Sequence, residues 1–366
     1  MRLIATCKMG LESVVSAELR RLNIEVERVE DARVLFTGGF DAMARANLCL
    51  RCAERVLLEV GSFEARTFDE LFEGTRALPW RDYLKKNDRI HVNGKSAKSA
   101  LFSVSDCQSI VKKAIVENLR RAYRTDIIPE SGNEIIIEVG LLRDVATLAL
   151  DCSGAGLSRR SYRTYNVAAP LSETLGAAMI LLSRFSPEQP LIDPMCGSGT
   201  MPIEAAMIAK NMAPGAHRSF AAESWGFLDP KYFSDARDEA QSGIRDVKLS
   251  ILGSDIDPHC IDLCKKHAKK AGIMVNWEVR PLKELRSEAH GGILVCNPPY
   301  GERLMKKSEV ESLYREMRTV FDTLPDWHKS IITGYREFER IYGKRADKRR
   351  KLSNGGMPCT LYQYFQ

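Results

Sequence analysis

Asn297-Pro298-Pro299-Tyr300 closes the apolar run Gly292-Ile293-Leu294-Val295-Cys296 and brings together a carboxamide, a proline-fixed carbonyl and an aromatic ring. Two prolines deny the backbone either helical or ladder continuation. The segment is therefore predicted to be a stiff loop at the carboxyl end of a strand, where open α/β sheets bind ligands. The Asn297 side-chain oxygen and the Pro298 carbonyl can then accept both N–H groups of one planar exocyclic amine, while Tyr300 stacks on the ring that carries it. A surface turn would tolerate the same residues. What favours the chemical reading is a second motif upstream at a suitable distance.

That motif is Leu191-Ile192-Asp193-Pro194-Met195-Cys196-Gly197-Ser198-Gly199-Thr200, an apolar strand entering a glycine-rich turn and then a helical pattern over 201–210. Glycines and backbone amides let a ligand approach closely. A dinucleotide fingerprint would place a third glycine where Pro202 stands, and a phosphate-binding P-loop would end in Gly-Lys-Ser/Thr, so neither ligand class fits. A nucleoside with little phosphate remains. The next strand, residues 249–257, ends Gly253-Ser254-Asp255-Ile256-Asp257 and runs into Pro258. Asp257 is the predicted helix cap and Asp255 the predicted partner of ribose hydroxyls, as for acids at the end of the second strand in nucleotide-binding βαβ units.

In this order the three motifs resemble a class I S-adenosylmethionine-dependent methyltransferase of the amino-methylating kind. Arg89-Ile90-His91-Val92-Asn93-Gly94-Lys95-Ser96 and the stretch 101–115 resemble the THUMP RNA-binding domain of the RlmL family. So do Arg159-Arg160-Ser161-Tyr162-Arg163, Ala169-Pro170-Leu171-Ser172-Glu173-Thr174-Leu175 and Leu352-Ser353-Asn354-Gly355-Gly356. The resemblance covers essentially the whole chain. It implies a Rossmann-like methyltransferase sheet preceded by α+β ferredoxin-like and THUMP domains, at 1–62, 63–155 and 156–366. It implies S-adenosylmethionine as methyl donor and the N2 amine of a guanosine in 23S ribosomal RNA as acceptor. Donor-binding residues are then Asp193, Met195, Cys196, Gly197, Ser198, Gly199, Thr200, Asp255, Ile256 and Leu282; Asn297, Pro298, Pro299 and Tyr300 are catalytic. The family usually carries an acid after the third strand to meet the adenine amine, whereas this chain reads Val279-Arg280-Pro281-Leu282-Lys283-Glu284-Leu285. Adenine contacts there are expected to be backbone and apolar. Three other readings stay open: a tRNA guanosine methylase of the TrmN type, an N6-adenine methylase, and an RNA-binding assembly protein with an inactive methyltransferase fold.

The 366 residues suffice for two or three domains with ample core. Ten cysteines are scattered, several inside apolar runs, as in reduced cytosolic proteins. Cys49-Leu50-Arg51-Cys52 lacks a second ligand pair, as do Cys260 with Cys264, so no metal is expected. Charges at Arg2, Lys8 and Glu12 interrupt any leader-like apolar run, which predicts a soluble cytoplasmic protein with no membrane partner. The oligomeric state is left open. The net charge of +6 is modest but clustered. Lys95, Lys98, Lys112 and Lys113 form one predicted RNA-binding patch. Arg336, Arg340, Lys344, Arg345, Lys348, Arg349, Arg350 and Lys351 form another, Arg349 and Arg350 being its candidate contacts. No DNA is expected as partner.

The elements that must position these residues show in the periodicity. Strands are predicted at 1–6, 34–37 and 55–60 with helices over 10–22 and up to about 52, then strands at 89–92, 135–139 and 147–150 with helices at 69–73 and 106–121, the latter capped by Asp106. Residues 153–169 read as a polar linker, and Pro170 opens a helix to about 183. Further strands at 274–279, 329–333 and 360–365 complete a doubly wound, mostly parallel sheet, with an Asn354-Gly355 hairpin turn. The long connection 211–248, with its aromatic residues, is either ordinary packing or a lid.

Overall fold

The computed structural model describes residues 1–163, 171–300 and 306–365. Its amino-terminal half contains β1 (Arg2–Cys7), α1 (Glu12–Arg21), β2 (Glu25–Glu30), β3 (Arg33–Thr37), α2 (Phe40–Cys49), β4 (Ala53–Glu64), α3 (Phe68–Ala77), β5 (Arg89–Ala97), α4 (Val104–Tyr123), β6 (Glu134–Leu142) and β7 (Val145–Asp151). The strands form one sheet in the order β2-β3-β1-β4-β7-β6-β5. β4 joins two units. Its first half pairs with β1 (Leu3 opposite Leu58) and its second half with β7 (Glu64 opposite Val145), with a register shift between Glu59 and Gly61. The 62/63 boundary read from the sequence therefore falls inside a continuous strand.

β2 was missed because Glu25-Val26-Glu27-Arg28-Val29-Glu30 is an edge strand with little burial on either face, so no apolar alternation marks it. Asp106 is not the cap of α4. Ser103 occupies that position, and its hydroxyl donates to the Asp106 carboxylate at 2.5 Å. α3 carries a full capping box, in which Glu70 N–H donates to Thr67 Oγ1 at 3.2 Å and Thr67 N–H to Glu70 Oε2 at 3.1 Å.

The carboxyl-terminal half contains α5 (Glu173–Leu182), β8 (Leu191–Asp193), α6 (Thr200–Ala209), α7 (Lys231–Ser242), β9 (Ile251–Asp255), α8 (Pro258–Ala271), β10 (Asn276–Val279), β11 (Ile293–Cys296), α9 (Lys307–Phe321), β12 (His328–Thr333), α10 (Phe338–Tyr342), β13 (Lys348–Asn354) and β14 (Met357–Tyr364). The sheet order is β10-β9-β8-β11-β12-β14-β13; β10 through β12 are parallel and the last pair antiparallel. β8 and β11 are buried along their whole length, as central strands covered on both faces must be. The final turn centres on Gly355 (φ +55°) and Gly356 (φ +84°), one residue beyond the expected pair, with Asn354 opposite Met357.

Residues 153–163 are not a loose linker. Arg160 and Glu204 form an ion pair at 3.2 Å whose side chains are 1% and 0% exposed, and the Tyr162 hydroxyl donates to the same carboxylate at 3.0 Å. Arg160 also donates to the Arg51 carbonyl, and Arg51 to the Met212 carbonyl at 2.7 Å, so this segment ties the two halves together. Ala169 and Pro170 lie outside the described residues, and the helix expected from Pro170 runs from Glu173. The connection 211–248 contains α7, and its Phe220, Trp225 and Phe233 are buried in the core. Trp225 stacks on Phe227, which meets Phe40 and Tyr83 of the amino-terminal half. A lid reading does not survive that burial. Among the described residues no helix is long and apolar enough to cross a membrane.

Candidate active site

β8 delivers Asp193 to the carboxyl edge of the sheet, and the chain turns through Gly197 (φ +52°) and Gly199 (φ +83°) into α6. The two glycines serve different ends. A Cβ on Gly199 would stand 2.8 Å from the Trp277 ring and 2.9 Å from Cys264 Sγ, so this glycine lets the turn pack on β10 and α8. A Cβ on Gly197 would meet no heavy atom within 4 Å, so the space over this residue is open to a ligand.

Asp255 ends the neighbouring strand β9 and braces the turn, accepting Gly197 N–H at 2.9 Å and Asp257 N–H at 3.0 Å. Each oxygen keeps a free lone pair for a hydroxyl. Asp257 caps α8 as expected, accepting His259 N–H at 2.9 Å ahead of Pro258. Asp193 Oδ1 accepts Met195 N–H at 3.3 Å, while Oδ2 is buried without a partner among the described residues. Burial pushes this carboxyl well above the usual carboxylate range; the Met195 N–H opposes the rise and the Asp255 charge adds to it.

The remaining turn residues contribute backbone more than side chains. Cys196 lies in an apolar cluster with Ile261 and Cys264, its Sγ 3.8 Å from that of Cys264. Thr200 Oγ1 accepts a hydrogen bond from Arg163, which also pairs with Glu173 at 3.3 Å. The buried Ser198 turns its carbonyl to His267 Nδ1 at 3.1 Å. Met195 is half-buried, Ile256 is 72% exposed beside Asp255, and Leu282 is buried against the core that contains Ile192 and Leu294.

β11 is the parallel neighbour of β8 on its other side, with Leu294 opposite Ile192, so Asn297 emerges beyond Asp193 on the same edge. Asn297 Oδ1 is buried without a hydrogen-bond partner among the described residues. Pro298 is buried, and the Pro299 carbonyl accepts the Tyr314 hydroxyl at 3.5 Å, itself 2.9 Å from Thr333 Oγ1. The Tyr300 ring lies against Gly334, where an added Cβ would come within 3.1 Å of it, and Asn354 Nδ2 donates to its hydroxyl at 3.4 Å. Sequence reasoning missed Thr333, Gly334, Tyr314 and Asn354 as supports of the loop. Asn354 had been read only as a turn residue, and nothing in the local pattern of the others marks them.

Two buried acceptors at the ends of adjacent strands, both without donors among the described residues, are costly unless a ligand supplies them. An ammonium suits Asp193 Oδ2 and an aromatic amine suits Asn297 Oδ1. S-adenosylmethionine carries an ammonium, ribose hydroxyls for Asp255 and little bulk to oppose at Gly197, so the residues present fit it.

The expected RNA-binding side chains fall into two groups. Lys95 and Lys98 are exposed, and Lys113 is exposed with its ammonium 5.9 Å from the Phe72 ring; Lys112 pairs with Glu130 at 2.9 Å. Arg349 pairs with Glu339 at 2.9 Å, and Arg350 donates to the Gly10 carbonyl at 2.6 Å and Ser13 Oγ at 3.2 Å. Arg350 thus fastens β13 to the start of the chain and is not itself a free cation. Among the described residues no three His, Cys, Asp or Glu gather as metal ligands.

Sheet order, open glycine turn and the family match define a class I methyltransferase that takes its methyl group from S-adenosylmethionine. The description "RMKL-like, methyltransferase domain" matches residues 160–363, the RlmL ferredoxin-like domain residues 2–57 and the THUMP domain residues 65–151. The chain belongs to this RlmL-like family. YpsC of Bacillus subtilis (strain 168), by name a candidate RNA methyltransferase, is 44% identical across 99% of this chain and 95% of its own. The ribosomal RNA large subunit methyltransferase K/L of Photobacterium profundum is 33% identical across 99% of this chain, which spans 52% of that longer protein. A Listeria monocytogenes crystal structure described as a predicted N6-adenine-specific DNA methylase is 45% identical, with a TM-score of 0.94 over 100% of this chain and 96% of that one. SMU.472, crystallised in complex with SAH, is 42% identical, with a TM-score of 0.94 over 100% and 97%.

Proposed function

We propose that this protein methylates the exocyclic N2 amine of a guanosine in 23S ribosomal RNA. The observation that carries an amine acceptor is the buried Asn297 Oδ1, without a hydrogen-bond partner among the described residues, just past the end of the strand beside the glycine turn. RNA as substrate is supported by the THUMP match and by the names of YpsC and the K/L protein, and the large ribosomal subunit by the latter.

A guanine amine shares its lone pair with the ring and is a poor nucleophile. Asn297 Oδ1 and the Pro298 carbonyl accept its two N–H groups and favour a geometry in which the lone pair is released from the ring, and Tyr300 stacks on the base. Asn354 and Gly334 hold Tyr300 in place for that contact. Bound S-adenosylmethionine supplies an electrophilic methyl group, held by Asp193 at its ammonium, Asp255 at the ribose and the backbone around Gly197. No strong base is needed beforehand, because the amine proton becomes acidic only after the nitrogen has gained its methyl. A base inside a helix cannot reach the loop, so the target is extruded or already unpaired.

Incubation of purified protein with labelled donor and separate pools of protein-poor 23S RNA, tRNA and DNA, followed by digestion to nucleosides, tests this. Label as N2-methylguanosine in 23S RNA is expected. N6-methyladenosine would move the assignment to the adenine methylases, label confined to tRNA to the TrmN type, and no label in any pool to an inactive assembly protein.

A further inference from the structure

Phe102 is 83% exposed on a loop that is otherwise tied down. The loop joins β5 to α4. Leu101 beside it is buried, and its carbonyl accepts the Ser96 hydroxyl at 2.6 Å. Ala100 N–H donates to Asp144 Oδ1 at 2.7 Å, while Ser99 Oγ donates to the Ala97 carbonyl at 3.1 Å and accepts Asp144 N–H at 3.0 Å. A segment this well anchored holds its aromatic ring in water by construction rather than by looseness.

The surroundings are selective. Lys98 and Arg143 are exposed, and among the described residues neither of them forms an ion pair. The nearby acids are engaged: Asp144 holds Ala100 N–H and sits 3.6 Å from Arg66, and Asp106 accepts from Ser103. Arg143 is brought to this end of the sheet by its own N–H, which donates to the Ala97 carbonyl at 3.3 Å. One flat ring among uncompensated cations complements a base with its flanking phosphates. A protein partner would need a broader apolar face than one phenylalanine offers.

We propose that Phe102 is a stacking platform for an unpaired RNA base whose neighbouring phosphates meet Lys98 and Arg143. The proposal rests on the RNA reading above and adds to it the kind of RNA that this end of the amino-terminal sheet grips. A continuous duplex displays no free base face and gains nothing from the ring.

Phe102→Ala and Phe102→Trp, each checked for an unchanged melting temperature, are titrated against a labelled oligoadenylate of about 12 nucleotides, a length within the span of a single-strand site, and against a long fully paired RNA. Phe102→Ala is expected to weaken oligoadenylate binding about tenfold, the effect of one lost base stack, with duplex affinity and salt slope unchanged; Phe102→Trp is expected to retain it. Unchanged oligoadenylate affinity in Phe102→Ala, an equal loss on duplex, or a wild-type dimer in sedimentation that Phe102→Ala abolishes would each overturn the platform while leaving RNA methylation standing. If the wild type bound neither RNA, the RNA reading itself would fail, and the platform with it.

Discussion

Asp193 and Asn297 stand at the carboxyl ends of adjacent parallel strands, each with a buried side-chain oxygen that meets no donor among the described residues. A folded chain seldom leaves two such acceptors on neighbouring strands, and in the proposed reaction Asp193 serves the donor and Asn297 the acceptor.

That division predicts different losses. Asp255→Ala should weaken S-adenosylmethionine binding roughly tenfold or more by removing both the ribose contact and the brace on Gly197, in line with a lost charge-assisted hydrogen bond. Asn297→Ala should lower methyl transfer from bound donor about 10²–10³-fold with donor affinity nearly intact. Calorimetry with single-turnover rates separates them. A normal transfer rate in Asn297→Ala would remove it from the reaction.

Asp193 adds a pH dependence. Burial raises its folded carboxyl well above the usual carboxylate range, so folding retains a proton that the unfolded chain releases, and this contribution to stability fades as pH climbs through the raised value. Binding an ammonium requires the carboxylate, so donor affinity should rise over that same interval and level off above it. Asp193→Asn should flatten the curve and lower the plateau; a parallel curve would show that another group titrates.

The two turn glycines should part company under substitution. Gly199→Ala places a methyl against Trp277 and Cys264 at positive φ and should cost about 2–3 kcal/mol of stability in thermal or denaturant unfolding. Gly197→Ala meets open space, should cost nearer 1 kcal/mol, and should show its main effect in donor binding.

The Arg160–Glu204 pair offers a test of how the halves are joined. Arg160→Ala leaves a buried carboxylate without its cation and should destabilise by about 3–5 kcal/mol. Arg160→Met combined with Glu204→Leu should recover part of that loss in denaturant melts, because the buried carboxylate goes together with its cation while the Tyr162 hydroxyl loses its acceptor.

Replacing Lys95, Lys98, Lys112 and Lys113 together should weaken RNA binding and flatten its salt dependence through fewer released counterions. Lys95 and Lys98 should account for most of the change, since Lys112 already pairs with Glu130. An unchanged salt slope would take all four out of the interface.

The shapes of the 297–300 loop and of the glycine turn were legible because their signals are local: prolines after an apolar run, glycines at a strand end, an acid two residues before a helix cap. Their supports were not. Arg350 reads as one more cation in a basic stretch, yet its partners Gly10 and Ser13 lie at the opposite end of the chain. Arg160 likewise sits in a polar, arginine-rich stretch that reads as linker, and only the fold supplies the buried Glu204 that draws it inside. β2 was hidden for the converse reason, having nothing to bury.

β4 runs unbroken from the ferredoxin-like fold into the THUMP fold. Its backbone ladder carries across that crossing despite the register shift between Glu59 and Gly61, so the two folds share one sheet, like a caliper arm made in one piece. Closed against the catalytic half by Arg350 and Arg160, that arm fixes the gap between whatever it grips and the Asn297 loop. Substrates would then be chosen by span as much as by sequence: an amine presented at the wrong reach from its anchoring stretch is rejected however well its base fits.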